Sequence, residues 1–562
     1  MPRARITVRT AAVATATGLA LSLTAALPAA ADPVTTGPVT TGPVTADDST
    51  ATGYPVDDGA LAPFHDQEVV WGECEEELLE NLECADVEVP LDYANPDGER
   101  LTLGISRAAA TDPEAHRGIL FLNAGGPGGP SRYMAEGYSQ TPLGAAYDLI
   151  GVDPRGSGAS SALDCEVEYP LISPRPDDTE IAANTRETIH YSRACDEAEG
   201  DRLPHMTTAN TARDMDVIRA TQGEEQTNYL GYSYGTYLGA VYGSLFPERI
   251  DRSVLDSPVH PDRVWRDVFL MQAPGHSANV ERYTEWLAEH DDVYELGATP
   301  EEIVANFDET SARLTEEPRE DLPDVPELDG ALFDMTVGEF ARDQGNWDLA
   351  SWYLQALVTG EPVPELADEA EIPDELLELT GMNFDLFSAI VCESEWPDRI
   401  SEYHADTREH RDEHPFGVGA LWATPQTCTF TDNQPTEPPV EVEHDGSTEP
   451  LVIAGEFDPQ TPYEGAPVMA DRLGAPLITV TDDGAHGFYG AGDEEGFLYP
   501  CVDGLVHSYL LDGTVPEDTE CPGVPRPEGT PEPSGEAEAL GGGWMPIDEL
   551  ERTAPLPGWI QG

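Results

Sequence analysis

The sequence predicts an α/β fold: a mostly parallel, doubly wound sheet with a large, mostly helical cap inserted into it. Three observations carry the expectation. Continuous apolar runs recur at Gly118–Asn123, Tyr147–Asp153, Tyr229–Leu230, Arg252–Asp256, Leu451–Gly455 and Pro476–Val480. Runs without polar alternation belong to strands buried on both faces, and helix-like segments such as Thr211–Gly223 between them imply parallel pairing. The pattern breaks from about 262 to 448, where helical stretches (Ser277–His290, Pro300–Thr315, Trp347–Leu357) replace strand signals. Before the parallel part, Val87–Leu91 and Leu101–Ile105 flank the turn Asn95-Pro96-Asp97-Gly98 and read as an antiparallel hairpin at a sheet edge.

The ends are of another kind. Arg3, Arg5 and Arg9 precede an apolar run from Ala11 to Leu27 and the small residues Ala29-Ala30-Ala31, a secretory signal with Asp32 as the mature start. No Arg-Arg pair points to twin-arginine export. No later stretch approaches the 18 or so apolar residues of a spanning helix, so no stable membrane association is expected. Val-Thr-Thr-Gly-Pro then occurs twice in a low-complexity spacer. The expected layout is signal peptide 1–31, spacer or propeptide 32–67, core 68–261, cap 262–448, core 449–523 and a Pro/Gly/Glu-rich tail 524–562. The tail is expected to pack poorly, with Trp544 and Trp559 as docking points.

Charge excludes some partners. The chain has 108 acidic and 28 basic residues, every basic one arginine, for a formal net charge of −80; losing the three leader arginines makes it −83. Such a field repels nucleic acid and anionic membranes. The acids are spread along the chain, which reads as a surface adapted to salty surroundings. Eight cysteines fit an oxidising compartment and fall into sequence-local pairs: Cys74 with Cys84, Cys165 with Cys195, Cys392 with Cys428, Cys501 with Cys521. Eight cysteines allow 105 pairings, so this pairing is an expectation. With no Cys-x-x-Cys and no calcium-loop spacing, neither a metal nor a cofactor is expected.

The chemistry centres on Gly231-Tyr232-Ser233-Tyr234-Gly235, the only Gly-x-Ser-x-Gly in the chain. An apolar strand enters it and a small-residue helix, Gly239–Gly243, leaves it. That context makes the motif a nucleophile elbow, a strained turn presenting a serine at a strand end. An activated serine needs a base, and the base an orienting carboxylate. Asp458 follows the strand Leu451–Gly455, and His486 follows the strand Pro476–Val480 in a Gly-flanked turn. Order and location at strand ends are those an α/β-hydrolase uses. Glu456, Asp482 and Asp483 are alternative acids. For the oxyanion hole, Tyr234 N–H stands directly after the nucleophile. A second donor is expected from Gly125-Gly126-Pro127-Gly128; Pro127 cannot donate, which leaves Gly126.

With these segments in view, the chain resembles the secreted tripeptidyl aminopeptidase family of actinobacteria, α/β-hydrolases related to prolyl aminopeptidases. The matching segments are Pro90-Leu91-Asp92-Tyr93, Asn123–Gly129, Gly151-Val152-Asp153-Pro154-Arg155-Gly156, Asn228–Thr236, Phe246-Pro247-Glu248-Arg249 and the acid and histidine turns, together spanning roughly 68–523. Ala124 stands where the family loop usually has Pro. The resemblance implies release of short peptides from a free N-terminus through an acyl-enzyme, with Ser233, Asp458 and His486 as the triad. It also implies a carboxylate for the substrate ammonium, and the segment Phe387–Pro397 offers Glu393 and Glu395. The reading is a secreted serine exopeptidase acting on peptides. A prolyl aminopeptidase or a secreted esterase on the same triad, and a non-catalytic binding protein, are the alternatives.

Overall fold

The computed structural model describes residues 58–320, 322, 327–363, 379–435, 437–444, 446, 448–493 and 496–530. The signal peptide, the spacer up to 57 and the tail beyond 530, with Trp544 and Trp559, lie outside the described residues. Among the described residues, ten strands form one sheet: β1 (Gly72–Glu73), β2 (Glu83–Pro90), β3 (Arg100–Ala108), β4 (Ile119–Asn123), β5 (Asp148–Val152), β6 (Thr227–Tyr232), β7 (Ile250–Asp256), β8 (Leu451–Gly455), β9 (Leu477–Thr481) and, beyond the small ribbon β10 (Gly492–Asp493) and β11 (Gly496–Phe497), β12 (Thr519–Pro522). Their order is β1-β2-β3-β5-β4-β6-β7-β8-β9-β12. The first three pair antiparallel, β3 meets β5 antiparallel, and every later pair is parallel. All strands from β4 to β9 therefore end at one edge.

Alternate side chains of the central strands feed two cores. Ile119, Phe121 and Tyr229 pack on one face, Leu120, Leu122, Leu230 and Tyr232 on the other. Both faces are covered, the physical reason these strands read as unbroken apolar runs. Between β7 and β8 the chain builds the cap, whose helices include Arg266–Glu289, Pro300–Glu316, Gly330–Arg342 and Trp347–Thr359. These four pack a third core of their own, centred on Tyr283, Trp286, Phe307, Phe333 and Trp347.

Four differences from the sequence reading have identifiable causes. The first cap helix begins at Arg266, eleven residues before the expected start, because it runs through Pro274; a proline inside a helix usually stops it. Residues 58–65, assigned to the spacer, form a helix that buries Leu61 and Phe64, with the Arg100 guanidinium 4.7 Å from the Phe64 ring centre. Thr519–Pro522, acidic and ending in proline, carries no strand signal, yet pairs with β9. The described start of the tail is a strap. Val524 N–H donates to Asp483 (2.8 Å), Trp286 Nε1–H to the Pro527 carbonyl (3.1 Å) and Thr530 N–H to Asp348 (2.7 Å).

The four sequence-local cysteine pairs are the four disulfides: Cys74–Cys84, Cys165–Cys195, Cys392–Cys428 and Cys501–Cys521. Among the described residues, no helix is long and apolar enough to cross a membrane.

Candidate active site

Ser233 stands between β6 and the helix Tyr234–Leu245 with φ 55° and ψ −124°, a conformation side chains rarely adopt. The turn is possible because its neighbours lack side chains. A Cβ on Gly231 would lie 2.7 Å from the Gly235 carbonyl oxygen, and one on Gly235 would lie 2.6 Å from Asn123 Oδ1. The hydroxyl-bearing residue is half-buried, and its N–H donates to the Asp256 carbonyl (3.0 Å). Tyr234 is the first residue of the elbow helix, so no carbonyl of that helix can accept its N–H.

The glycine loop after β4 packs directly on this turn. Gly125 has φ +100°, and a Cβ there would lie 2.6 Å from the Tyr232 carbonyl and 3.0 Å from Ser233 Cβ. Gly126 follows with φ +111°. Gly125 N–H donates to Asn123 Oδ1 (3.1 Å), and the loop closes on itself through Gly129 N–H to the Gly125 carbonyl (3.2 Å). Its far end is held by Asp153, whose Oδ1 accepts the Ser131 (2.9 Å) and Arg132 (3.1 Å) N–H groups and whose Oδ2 accepts Arg132 Nε–H (2.9 Å). The next motif residue, Arg155, is fully buried. It makes a two-pronged pair with Asp214 (2.6 and 2.7 Å) and donates to the Leu91 carbonyl, while Tyr93 OH also donates to Asp214 (2.8 Å). Of the sequence motifs, Gly151–Gly156 thus holds the far end of the glycine loop through Asp153, while its Arg155 joins Pro90–Tyr93 to the helix Thr208–Thr221 at Asp214.

Asp458 and His486 meet at the same edge. The Asp458 Oδ2 to His486 Nδ1 distance is 2.8 Å, and both side chains are buried, 2 % and 7 % exposed as residues. A carboxylate only accepts, so the hydrogen of this bond sits on Nδ1, and in the neutral imidazole Nε2 is then the acceptor. Asp458 is itself oriented by Gln460 N–H (2.9 Å) and Thr461 N–H (3.2 Å) on Oδ1 and by the Thr461 hydroxyl (2.9 Å) on Oδ2. Sequence reading passed over Thr461; its signal was the Asp-Pro-x-Thr turn, in which aspartate and threonine side chains bond the local backbone. The alternative acids have other partners. Glu456 accepts Asp482 N–H (2.8 Å), Asp482 pairs with Arg282 (2.9 Å) and Arg526, and Asp483 accepts from Ala485, Tyr499 and Val524.

The cap touches both sides of this edge. Its helix Phe384–Ile390 follows Asn383, whose N–H donates to the Gly128 carbonyl (3.1 Å). Its helix Arg266–Glu289 lies on the acid turn through Asn279 to the Phe457 carbonyl (2.7 Å) and Gln272 to the Gln460 carbonyl (2.8 Å). Glu393 is buried at the start of the helix Thr208–Thr221. Its Oε2 accepts Thr208 N–H (2.9 Å), and its Oε1 accepts the Thr208 hydroxyl (2.7 Å) and Trp265 Nε1–H (3.1 Å). Burial among neutral donors pushes its carboxyl up to about 7. The Thr208 hydroxyl also bonds Tyr234 OH (3.1 Å), linking Glu393 to the residue after Ser233. Glu395, two residues on, is exposed and is not drawn into this cluster. Among the described residues, Cys165, Cys195 and Asp385 group closely enough to hold an ion, but the two sulfurs are joined to each other and Asp385 accepts Cys165 N–H (2.8 Å).

Comparison with known proteins agrees with this architecture. A family model described as α/β hydrolase fold matches residues 118–299, and one described as TAP-like protein matches 414–521. The chain is 34% identical over 498 residues to a tripeptidyl aminopeptidase of Streptomyces coelicolor, covering 82% of this chain and 87% of that protein. It is 29% identical to the serine protease Hip1 of Mycobacterium tuberculosis strain H37Rv, with coverage of 77% and 86%. It is also 29% identical to a carboxylesterase B of Mycobacterium tuberculosis strain CDC 1551, with coverage of 81% and 90%.

Proposed function

The chain belongs to the tripeptidyl aminopeptidase family of α/β-hydrolases, and from that premise we propose that it is a secreted serine exopeptidase releasing short peptides, tripeptides foremost, from free N-termini. The observation that carries the reading is the buried His486–Asp458 bond of 2.8 Å at the sheet edge where Ser233 stands in its elbow. In the proposed reaction Ser233 Oγ attacks the scissile carbonyl carbon as its proton passes to His486 Nε2. The oxyanion is received by the N–H groups of Tyr234 and Gly126. Collapse expels the leaving amine, which takes the proton from His486, and leaves an acyl-Ser233 ester. Water, deprotonated by His486, then attacks that ester and releases the peptide.

Recognition of the substrate ammonium is assigned to the cap carboxylates Glu393 and Glu395. The Glu393 carboxylate uses three accepting positions in the bonds above, of about four that a carboxylate offers. The four disulfides suit an oxidising, extracellular setting, and the leader read at 1–31 supplies the export route.

Ser233→Ala should abolish hydrolysis of a tripeptidyl chromogenic substrate while the thermal transition stays in place; retained turnover would end the reading. Esterase activity is the second reading, favoured by the carboxylesterase B relative. Acetylating the N-terminus of the peptide separates the two. An aminopeptidase loses the substrate, whereas an esterase shows no dependence on a free amine.

A further inference from the structure

We propose that Asp256 is a positioning residue that sets the serine and the histidine relative to each other, gripping the nucleophile turn with its main chain and the histidine turn with its side chain. The inference rests on the serine-hydrolase reading above. Asp256 ends β7, the strand next to the elbow strand, and it is wholly buried. Its carbonyl oxygen accepts the Ser233 N–H at 3.0 Å. Its Oδ2 accepts the N–H groups of Phe488 (3.0 Å) and Tyr489 (2.8 Å), two and three residues after His486.

Ser257 extends the grip. Its Oγ accepts Gly487 N–H (2.8 Å) and donates to Asp256 Oδ1 (3.2 Å), while its own N–H donates to the Ile453 carbonyl on β8 (2.8 Å). Three successive N–H groups directly after the histidine therefore converge on two successive residues, which are bonded to the serine strand and the strand before the acid. A fourth, Gly490 N–H, goes to buried Asp503 (2.9 Å).

Nothing in the proposed reaction uses this carboxylate, since Asp458 occupies Nδ1. As scaffold alone it is an expensive choice. A carboxylate withdrawn from water and met by neutral donors is disfavoured in its charged form, and burial pushes Asp256 up to about 7, with the backbone N–H groups, His486 and the Ser257 hydroxyl opposing that shift. What an aspartate gives that an apolar strand end cannot is an acceptor for consecutive N–H groups. The serine and histidine are thereby tied through one residue, so their separation cannot drift independently.

The test is active-site titration with a fluorophosphonate followed by kcat and KM per titrated site. Asp256→Ala removes the acceptor, Asp256→Asn keeps an acceptor oxygen without the charge, and Ser257→Ala removes the Gly487 bond and the hydroxyl's bond to Asp256 but leaves the Phe488 and Tyr489 bonds in place. Per-site kcat should fall about 100-fold in Asp256→Ala and about 10-fold in Ser257→Ala, and stay within about 3-fold in Asp256→Asn, with KM nearly constant throughout. A purely structural role would lower the titratable fraction and the melting temperature but leave per-site kcat unchanged in Asp256→Ala, and that result would overturn the inference. Asp256→Asn as damaging as Asp256→Ala would do the same. If Asp256→Ala does not fold, Ser257→Ala decides, and an unchanged per-site kcat there counts against the inference. Wild-type protein that does not titrate at all would instead remove the hydrolase reading beneath it.

Discussion

A histidine can act as a base here only if one ring nitrogen is held in a known protonation state, and the 2.8 Å contact between His486 Nδ1 and Asp458 does this. Asp458→Asn would keep the side chain's shape and many of its contacts, yet the amide can donate to Nδ1 and turn the ring to the wrong tautomer. The expected loss in kcat is about 10³- to 10⁴-fold with little change in melting temperature, read by steady-state kinetics beside thermal denaturation. A loss below about 10-fold would remove Asp458 from the proposed triad. Asp503 offers a test by pH. Burial pushes its carboxyl up to about 6, and it accepts Gly490 N–H beside the histidine turn. A carboxyl raised on folding favours the folded state most when it is protonated in both states. That contribution is complete below the unfolded value near 4 and is lost as pH rises through about 6. Asp503→Asn abolishes this dependence. The variant's stability relative to wild type should therefore improve by about 1 kcal/mol between pH 4 and pH 8, with solvent screening allowed for. Denaturant melts at the two pH values check this, and an equal difference at both would refute it.

At the scale of elements, the site is an assembly of turns held by short-range bonds. The nucleophile elbow follows from local sequence, because Gly231 and Gly235 are the residues whose Cβ atoms would strike the opposing backbone or Asn123. The segment carrying Glu393 is different, since its placement depends on a cross-link. Cys392 precedes Glu393 directly, and its bond to Cys428 closes 36 residues of cap. Replacing both cysteines with serine should lower stability by about 3 kcal/mol. It should also raise KM for free-amine peptides more than it lowers kcat, if Glu393 serves the substrate ammonium. Melting curves and a two-parameter kinetic comparison read the two effects separately. Parallel changes in kcat and KM would assign the cross-link to stability alone.

The molecule as a whole carries 108 acids against 28 arginines. Arginines form the buried or partly buried pairs Arg155–Asp214, Arg132–Asp153 and Arg213–Glu437, so the excess of acids repels itself across the rest of the structure. Added salt screens this repulsion, because the Debye length falls from about 10 Å at 0.1 M to about 3 Å at 1 M. The melting temperature should climb steadily over that range in NaCl, and a flat or falling curve would dissociate the composition from salt adaptation. The strap from 523 to 530 adds a second long-range feature. It bonds the core at Asp483 and the cap at Trp286 and Asp348, so the two parts share one closing segment beside the histidine turn.

The sequence by itself left the cysteine pairing as one of 105, but it determined the parallel sheet, the elbow and the order of serine, acid and histidine. Each of these is written in local signals: unbroken apolar runs, obligatory glycines and residues at strand ends. It also led directly to the segments Pro90–Tyr93 and Gly151–Gly156 without revealing what they do. Only tertiary structure decided that Asp153 holds the end of the glycine loop, that Arg155 pairs with Asp214, that Asp458 rather than Asp482 or Asp483 faces His486, and that Glu393 caps a helix 185 residues before it in the chain. Those outcomes depend on which buried donor lies across from which carboxylate. In so acidic a chain, a carboxylate's neighbours in sequence carry almost no information about its partner in space.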